Sequence, residues 1–356
     1  MVSTQQGNFR PMARATLIDI ARQAGVSTAT VDRALNSRPG VSAANRQRVM
    51  SAARALGYVP SDGMVILPAR PARLEFLFPM GQIAFMREVA DNILRVAKDH
   101  PLVESCTIIP LGGIGPDALT AGLDQLSPGT EGVGIITTDH PKSRDAIRGL
   151  SASGVRVVTI ASDVHEASRS AYVGVDNLIS GRTAAQILGM LAGRGDGTAA
   201  VFLGSRAFKG HQERETGFLA CMAERCPNLR ILPSIETNED SGRVRSEMAK
   251  LLRNVPDLSA VYCVGAGRRG IVDALEERQS SRRPAVVLHD LTDNSRVWLA
   301  QNKIDAVIDQ NASLVAEQAV LRLLGAIAST NPLLPLHHIE PRIILRENIP
   351  VERPPR

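Results

Sequence analysis

Two kinds of hydrophobic periodicity divide the chain. Near the start, Leu17, Ile20, Ala21 and Ala24 recur at the i, i+3, i+4, i+7 spacing of one helix face, and Gly25 stops the run. Ser27 has the chemistry of an N-cap for a second helix whose inner face is Val31, Ala34 and Leu35. After Pro39 and Gly40, Ser42 opens a third helix with its stripe at Val49, Ala52, Ala53 and Leu56, closed by Gly57. Two short helices joined by a tight glycine-containing turn make a helix-turn-helix, and three such stripes make a minimal core. On the second helix Thr28, Ala29, Asp32 and Arg33 point away from that core, toward anything a major groove would present.

From Arg73 onward the pattern changes. Apolar runs at 74–78, 106–111, 132–137, 155–161, 198–204, 230–237, 259–265, 284–290 and 306–310 read as strands. Helical patterns, such as those at 86–98, 178–193, 213–225, 242–253, 269–278, 293–301 and 313–328, separate them. Strands that are apolar throughout, rather than alternating, are buried on both faces, which predicts parallel sheets covered by helices. Nine of them over about 270 residues predict two lobes rather than one. The expected fold is a small all-α helix-turn-helix head followed by an α/β two-lobed core with parallel sheets.

Charge sharpens this division. Residues 1–60 carry eight arginines, no lysine and two aspartates, a balance of +6, while the whole chain of 356 residues carries +5, so the remainder is −1. All the positive excess lies in the head, the footprint of a small module that meets a polyanion. No apolar run approaches the ~20 residues that cross a bilayer, and the first residues lack the apolar core of a signal peptide, so no membrane partner and a cytoplasmic location are expected. The cysteines, Cys106, Cys221, Cys226 and Cys263, match no zinc or redox spacing, and no metal site is expected.

One motif points elsewhere. The stretch VYCVGAGRRGIVDAL places Gly265, Gly267 and Gly270 in the Gly-x-Gly-x-x-Gly spacing of a dinucleotide-binding turn, with Asp290 at the end of the next apolar run. An NAD(P)-dependent α/β enzyme is therefore the alternative reading. The fingerprint sits late in the chain rather than in a leading βαβ unit, and HExxH, GxSxG and GxxxxGK[ST] do not occur. No catalytic grouping is expected.

The run ATLIDIARQAGVSTATVDRALNSRPGVSAANRQRVMSAARALGYVP resembles the DNA-binding head of the lactose-repressor (LacI/GalR) family. The resemblance implies DNA contacts from Thr16, Ser27, Thr28, Ala29, Thr30, Arg33, Asn36 and Arg46, with Thr28, Ala29 and Arg33 on base edges. Asp32 departs from the family's more usual serine. Family members follow the head with a hinge helix that wedges a leucine into the minor groove; Leu67 falls at that position within SDGMVILPARP, but Gly63, Val65 and Pro68 depart from the hinge pattern.

The remainder resembles the periplasmic sugar-binding fold through which the same family senses its effector. The landmarks are PMGQIAF, IASD, YVGVDNLISGRTAA, HQERETGF, VGAGRRGI, VVLHDLTDNSR and KIDAVIDQN. The resemblance implies a ligand between the lobes, Phe85 stacking on a sugar ring, Asp163, Arg214 and Asp290 bonding hydroxyls, and Gln310 reaching in from the crossover strand. Gln82, His289 and Arg296 are secondary candidates. In that fold a glycine-rich turn lines the cleft after this strand, which accounts for VGAGRRGI without a pyrophosphate. A secreted solute-binding protein is disfavoured by the attached head.

The expected organisation is a DNA-binding head over 1–60, a linker over 61–72 and an effector-binding and dimerisation core over 73–347. Its first lobe is expected at about 73–175 plus 304–332, and its second at about 176–303 plus 333–347. The expected partners are double-stranded operator DNA, a sugar-like or polyol effector and a second copy of the chain, as a homodimer or a tetramer, with no cofactor.

Overall fold

The computed structural model describes residues 16–35, 40–55, 67–81, 83–165, 168–193, 195–278, 283–328 and 339–351. It divides into two compact units, residues 1–69 and 70–356.

The first unit holds α1 (Leu17–Ala24), α2 (Thr28–Leu35) and α3 (Ala43–Ala55). The second and third starts are capped by Ser27 and Ser42 as expected, and the first by Thr16, which was not singled out as a cap. Thr16 and Asp19 form a reciprocal capping box, Asp19 Oδ2 accepting from Thr16 N at 2.9 Å and Thr16 Oγ1 from Asp19 N at 3.4 Å. Ser27 Oγ accepts from Thr30 N at 3.2 Å, and Ser42 Oγ from Asn45 N at 3.3 Å. Gly25 ends α1 at φ +64°, a conformation a residue with a Cβ adopts only at a cost. Ile20, Ala21, Ala24, Val31, Ala34, Val49, Ala52 and Ala53 form the core. Leu56 and Gly57, expected to finish the third helix, lie outside the described residues, as does linker 61–66.

The second unit contains two sheets. The first comprises β1 (Ala72–Phe78), β2 (Val103–Pro110), β3 (Gly132–Ile135), β4 (Arg156–Ile160) and β5 (Ala171–Val173), all parallel in the order β2-β1-β3-β4-β5. The second comprises β6 (Gly197–Leu203), β7 (Leu229–Ile231), β8 (Ile235–Glu236), β9 (Leu258–Cys263), β10 (Ala285–His289), β11 (Ala306–Asp309) and β12 (Arg342–Ile344). Its order is β12-β11-β10-β9-β6-β7, with β8 also on β6, and only β12 is antiparallel. Around the first sheet lie α4 (Ala84–Asp99), α5 (Pro116–Leu123), α6 (Pro141–Ala152) and α12 (Ala312–Ala328). Around the second lie α7 (Asn177–Ala192), α8 (Lys209–Arg225), α9 (Ser241–Asn254), α10 (Arg268–Arg278) and α11 (Asp293–Ala300).

The expected lobe boundaries need correction. β11 was expected with the first lobe, yet it pairs with β10 and β12 in the second sheet, and the chain crosses back only after Gln310, when α12 packs on α4. Ile339 bridges Val175 beside the first sheet, and the chain then crosses again to place β12 in the second. The expected strand 230–237 is broken into β7 and β8 around Pro233, which has no N–H to donate. β5, β12, α5 and α6 were not expected.

Candidate functional site

The parallel strands of both lobes end at the same cleft, where open α/β sheets place their ligands. A cavity of about 50 Å³ lies there, lined by Ile83, Phe85, Met86, Ile136, Ala161 and Ser162 of the first lobe and by Phe208, Gly210, His211, Arg214, Glu239, Gly265, Ala266, Asp290 and Gln310 of the second. Ala161, Glu239 and Asp290 are non-glycine residues at φ +59°, +64° and +64°, so backbone strain concentrates on the cavity wall.

Arg214 reaches the cavity because α7 and α8 are nearly in backbone contact. A Cβ on Gly181 would lie 2.0 Å from Arg214 O, and one on Gly217 would lie 2.1 Å from Leu178 O. The buried guanidinium donates from Nε to Asn177 Oδ1 at 2.8 Å and from Nη1 to Val264 O at 3.1 Å. Across the cavity, Gln310 Nε2 donates to Asp290 Oδ1 at 2.7 Å, and Arg268 Nη1 lies 3.3 Å from Asp290 Oδ2. The Gln310 Oε1 is buried with no hydrogen-bond partner among the described residues. Burial, with Arg214 nearby, pushes the His211 imidazole down to about 3, so it stays neutral.

Of the residues expected at the ligand, Phe85, Arg214, Asp290 and Gln310 are brought together. Asp163 is not among them: its carboxylate is taken by Arg169 in a two-point ion pair and by the Thr159 hydroxyl at 2.7 Å. His289 lies beneath the cavity, its Nε2 2.7 Å from the Tyr262 hydroxyl, and desolvation holds it well below the usual histidine range. Arg296 is turned to Pro350 O at 2.8 Å, and Gln82 lies outside the described residues. Glu239 and His211 were not singled out; the one signal for Glu239 is a pair of glycines in other segments.

Those glycines settle the fingerprint. A Cβ on Gly204 would lie 1.8 Å from Glu239 Oε1, and one on Gly265 would lie 3.0 Å from both carboxylate oxygens. Ala266 N donates to Glu239 Oε2. The backbone that a pyrophosphate would use is engaged by a carboxylate of the chain itself. Gly267 takes φ +84°, and a Cβ on Gly270 would lie 2.2 Å from Ser241 O, so the remaining glycines serve the turn and the packing of α10 on α9.

In the head, Thr28, Ala29 and Arg33 are exposed on α2, with Thr30 half-buried. The Ser27 and Thr16 side chains are occupied as caps. Leu67 is 42% exposed, whereas Asn36 and the Arg46 side chain lie outside the described residues.

Comparison with known proteins separates the same two units. Residues 16–61 match the model of the bacterial regulatory proteins, lacI family, and residues 74–329 match that of a periplasmic binding protein domain. The chain is 62% identical over 42 residues to the HTH-type transcriptional regulator MalR of Streptomyces coelicolor, 12% of each chain. It is 34% identical over 90 residues to a sucrose operon repressor of Vibrio alginolyticus, covering 25% of this chain and 96% of that one. It is 31% identical over 218 residues to an uncharacterized HTH-type transcriptional regulator of Streptomyces limosus, 58% of each. The matched region is thus about an eighth of MalR's length and little over half of the Streptomyces limosus regulator's. Among solved structures, a solute-binding protein of Burkholderia graminis in complex with D-arabinose gives a TM-score of 0.72 at 20% identity over 79% of this chain and 97% of that one. The glucose-galactose binding protein GanP of Geobacillus stearothermophilus gives 0.68 at 19% over 79% and 100%. These likenesses establish the fold of the second unit. The chain belongs to the lacI family of bacterial regulatory proteins, with a periplasmic binding protein domain as its larger unit.

Proposed function

We propose that the protein is a sequence-specific DNA-binding transcriptional regulator, acting as a repressor, whose operator affinity is set by a small sugar or polyol held between its lobes. The observation that carries the effector half is Gln310, whose Oε1 is a buried acceptor with no partner among the described residues, lining a cavity with Asp290, Arg214 and Phe85. A ligand hydroxyl is the donor that satisfies it. The DNA half rests on an α2 that exposes Thr28, Ala29 and Arg33 in a head where all of the chain's positive excess resides.

Two copies of such a head read half-sites about one helical turn apart, which makes the working unit a dimer on a pseudo-palindromic operator. The nucleotide alternative has nothing to recommend it once Glu239 occupies the glycine turn. Titration of operator DNA with and without sugars tests the reading. A bound sugar changes operator affinity by about 5- to 150-fold, and operator changes sugar affinity by the same factor. A sugar that binds with no effect on operator affinity overturns the coupling.

A further inference from the structure

We propose that residues 207–210 form a clasp by which the chain itself closes the cleft, with the Phe208 ring in the seat an effector ring takes, so that the effector binds only by displacing Phe208. This deepens the reading of the cleft as the effector site and rests on it.

The run joins β6 to the start of α8 and so belongs to the second lobe, yet each of its four residues meets the first. Ala207 O accepts from Asp139 N, in the loop after β3, at 2.8 Å. Phe208 is 2% exposed and lies in the apolar core of the first lobe, among residues of the first sheet, α4 and α12. Lys209 Nζ lies 3.9 Å from Asp163 Oδ2, and Gly210 N donates to Ser162 Oγ at 3.2 Å, both partners just after β4. A Cβ on Gly210 would lie 3.2 Å from Ala161 O, so a side chain there would press on the first lobe. The polar contacts contribute little one at a time; the buried aromatic ring is the larger part of the hold.

Phe208 also accounts for the size of the inner cavity. It lines that cavity together with Phe85, the residue expected to stack on a sugar ring, and its other neighbour is the His211 ring, edge to face with centroids 5.2 Å apart. About 50 Å³ remains, room for little more than water, so the ring that fills this seat is the chain's own. A ligand moves such an equilibrium only by binding the opened form better than the closed one. The difference here is polar. Phe208 has no donor for Gln310 Oε1, which is buried without a partner among the described residues, whereas a sugar in the same seat offers hydroxyls to it and still presents a C–H face to Phe85.

The test is amide hydrogen exchange on the full chain with and without D-glucose, D-galactose, D-ribose and L-arabinose, beside calorimetry of the same sugars on the parent, Phe208→Ala and Phe208→Leu. The reporter is the Asp139 amide, which bonds Ala207 and does not line the cavity. Without sugar it is expected to be protected at least about a hundredfold, and a bound sugar lowers that protection by about tenfold. Phe208→Ala empties the seat, so it is expected to expose the Asp139 amide without sugar and to bind the sugar about tenfold tighter, since nothing has to be displaced. Phe208→Leu keeps an apolar side chain in the first-lobe core; it is expected to move both readings the same way by about threefold, and it decides the matter should the alanine variant fail to fold. An Asp139 amide unprotected without sugar overturns the clasp. So does a sugar that binds and leaves that amide as protected as before, or one that binds the variants no tighter than the parent; each of these leaves the effector reading standing. Binding of no sugar to parent or variants overturns both.

Discussion

Gln310 gives its amide hydrogen to Asp290 across 2.7 Å and keeps its own carbonyl oxygen buried without a donor among the described residues. The two residues end neighbouring parallel strands, β11 and β10, so the sheet register itself sets the pair. Asp290 is further held by Arg268, and its strained backbone at φ +64° is fixed by its N donating to Ile308 O at 2.9 Å.

Asp290→Ala is expected to lower stability by about 3–5 kcal/mol, because it leaves the Arg268 guanidinium buried without its carboxylate. Asp290→Asn should lose the same ion pair but keep the hydrogen bond from Gln310 and the positive φ, and so be the less destabilised of the two. Both variants should lose sugar binding. Chemical denaturation with parallel calorimetry checks this; an alanine variant as stable as the parent would remove the ion-pair argument.

Glu88 links the lobes electrostatically. Burial, then the Asp309 and Asp290 carboxylates of the second lobe and more weakly Asp293, push its pKa up to about 7, against the opposing pull of Arg296. The folded state therefore holds the proton that the unfolded chain releases near 4.5, and the contribution of Glu88 to stability falls as pH rises from about 4.5 to 7. Glu88→Gln should raise stability at pH 8 by on the order of 1–2 kcal/mol after allowance for screening, with little change at pH 4.5. Unfolding midpoints of parent and variant across that pH range decide it; parallel curves would show that Glu88 titrates normally.

Gly181→Ala and Gly217→Ala each force α7 and α8 apart, since the added methyl meets backbone at 2.0 and 2.1 Å. Each should cost about 1–3 kcal/mol. Arg214 rides on α8, so ligand affinity should fall even though neither glycine lines the cavity. Ligand affinity unchanged in a destabilised variant would show that the Arg214 position does not depend on that contact.

In the head, Arg33→Ala should cost about 1–3 kcal/mol at one base pair and relax specificity there. Arg46→Ala or Arg48→Ala should weaken every DNA sequence alike and flatten the salt dependence. Competition binding with operator and random duplexes at several salt concentrations distinguishes them. Equal loss on both duplexes for Arg33→Ala would rule out a base contact.

The head was legible in the sequence nearly residue by residue, because its three helices are built from local signals. Thr16, Ser27 and Ser42 cap helices within three residues of themselves, and each apolar stripe buries against its neighbour in the chain. The long apolar strands were legible for the same reason. α6 was not, since it buries little beyond Ser143 and Ile147 and so shows no stripe, and β5 and β12 are only three residues each.

The two-lobed α/β character of the core, the basic head and the position of Asp290 at a strand end were determined by the sequence alone, through local periodicity and charge. Which residues share the cleft was decided by tertiary structure, because the chain crosses between the lobes three times and the partners come from segments far apart. Asp163 was lost to Arg169, only six residues away, which no spacing rule separates from a ligand contact. Glu239 acquired its place from Gly204 and Gly265, whose missing side chains leave the volume its carboxylate fills. A glycine spacing in a sequence records that something approaches the backbone closely; only the fold says whether that is a phosphate or a glutamate.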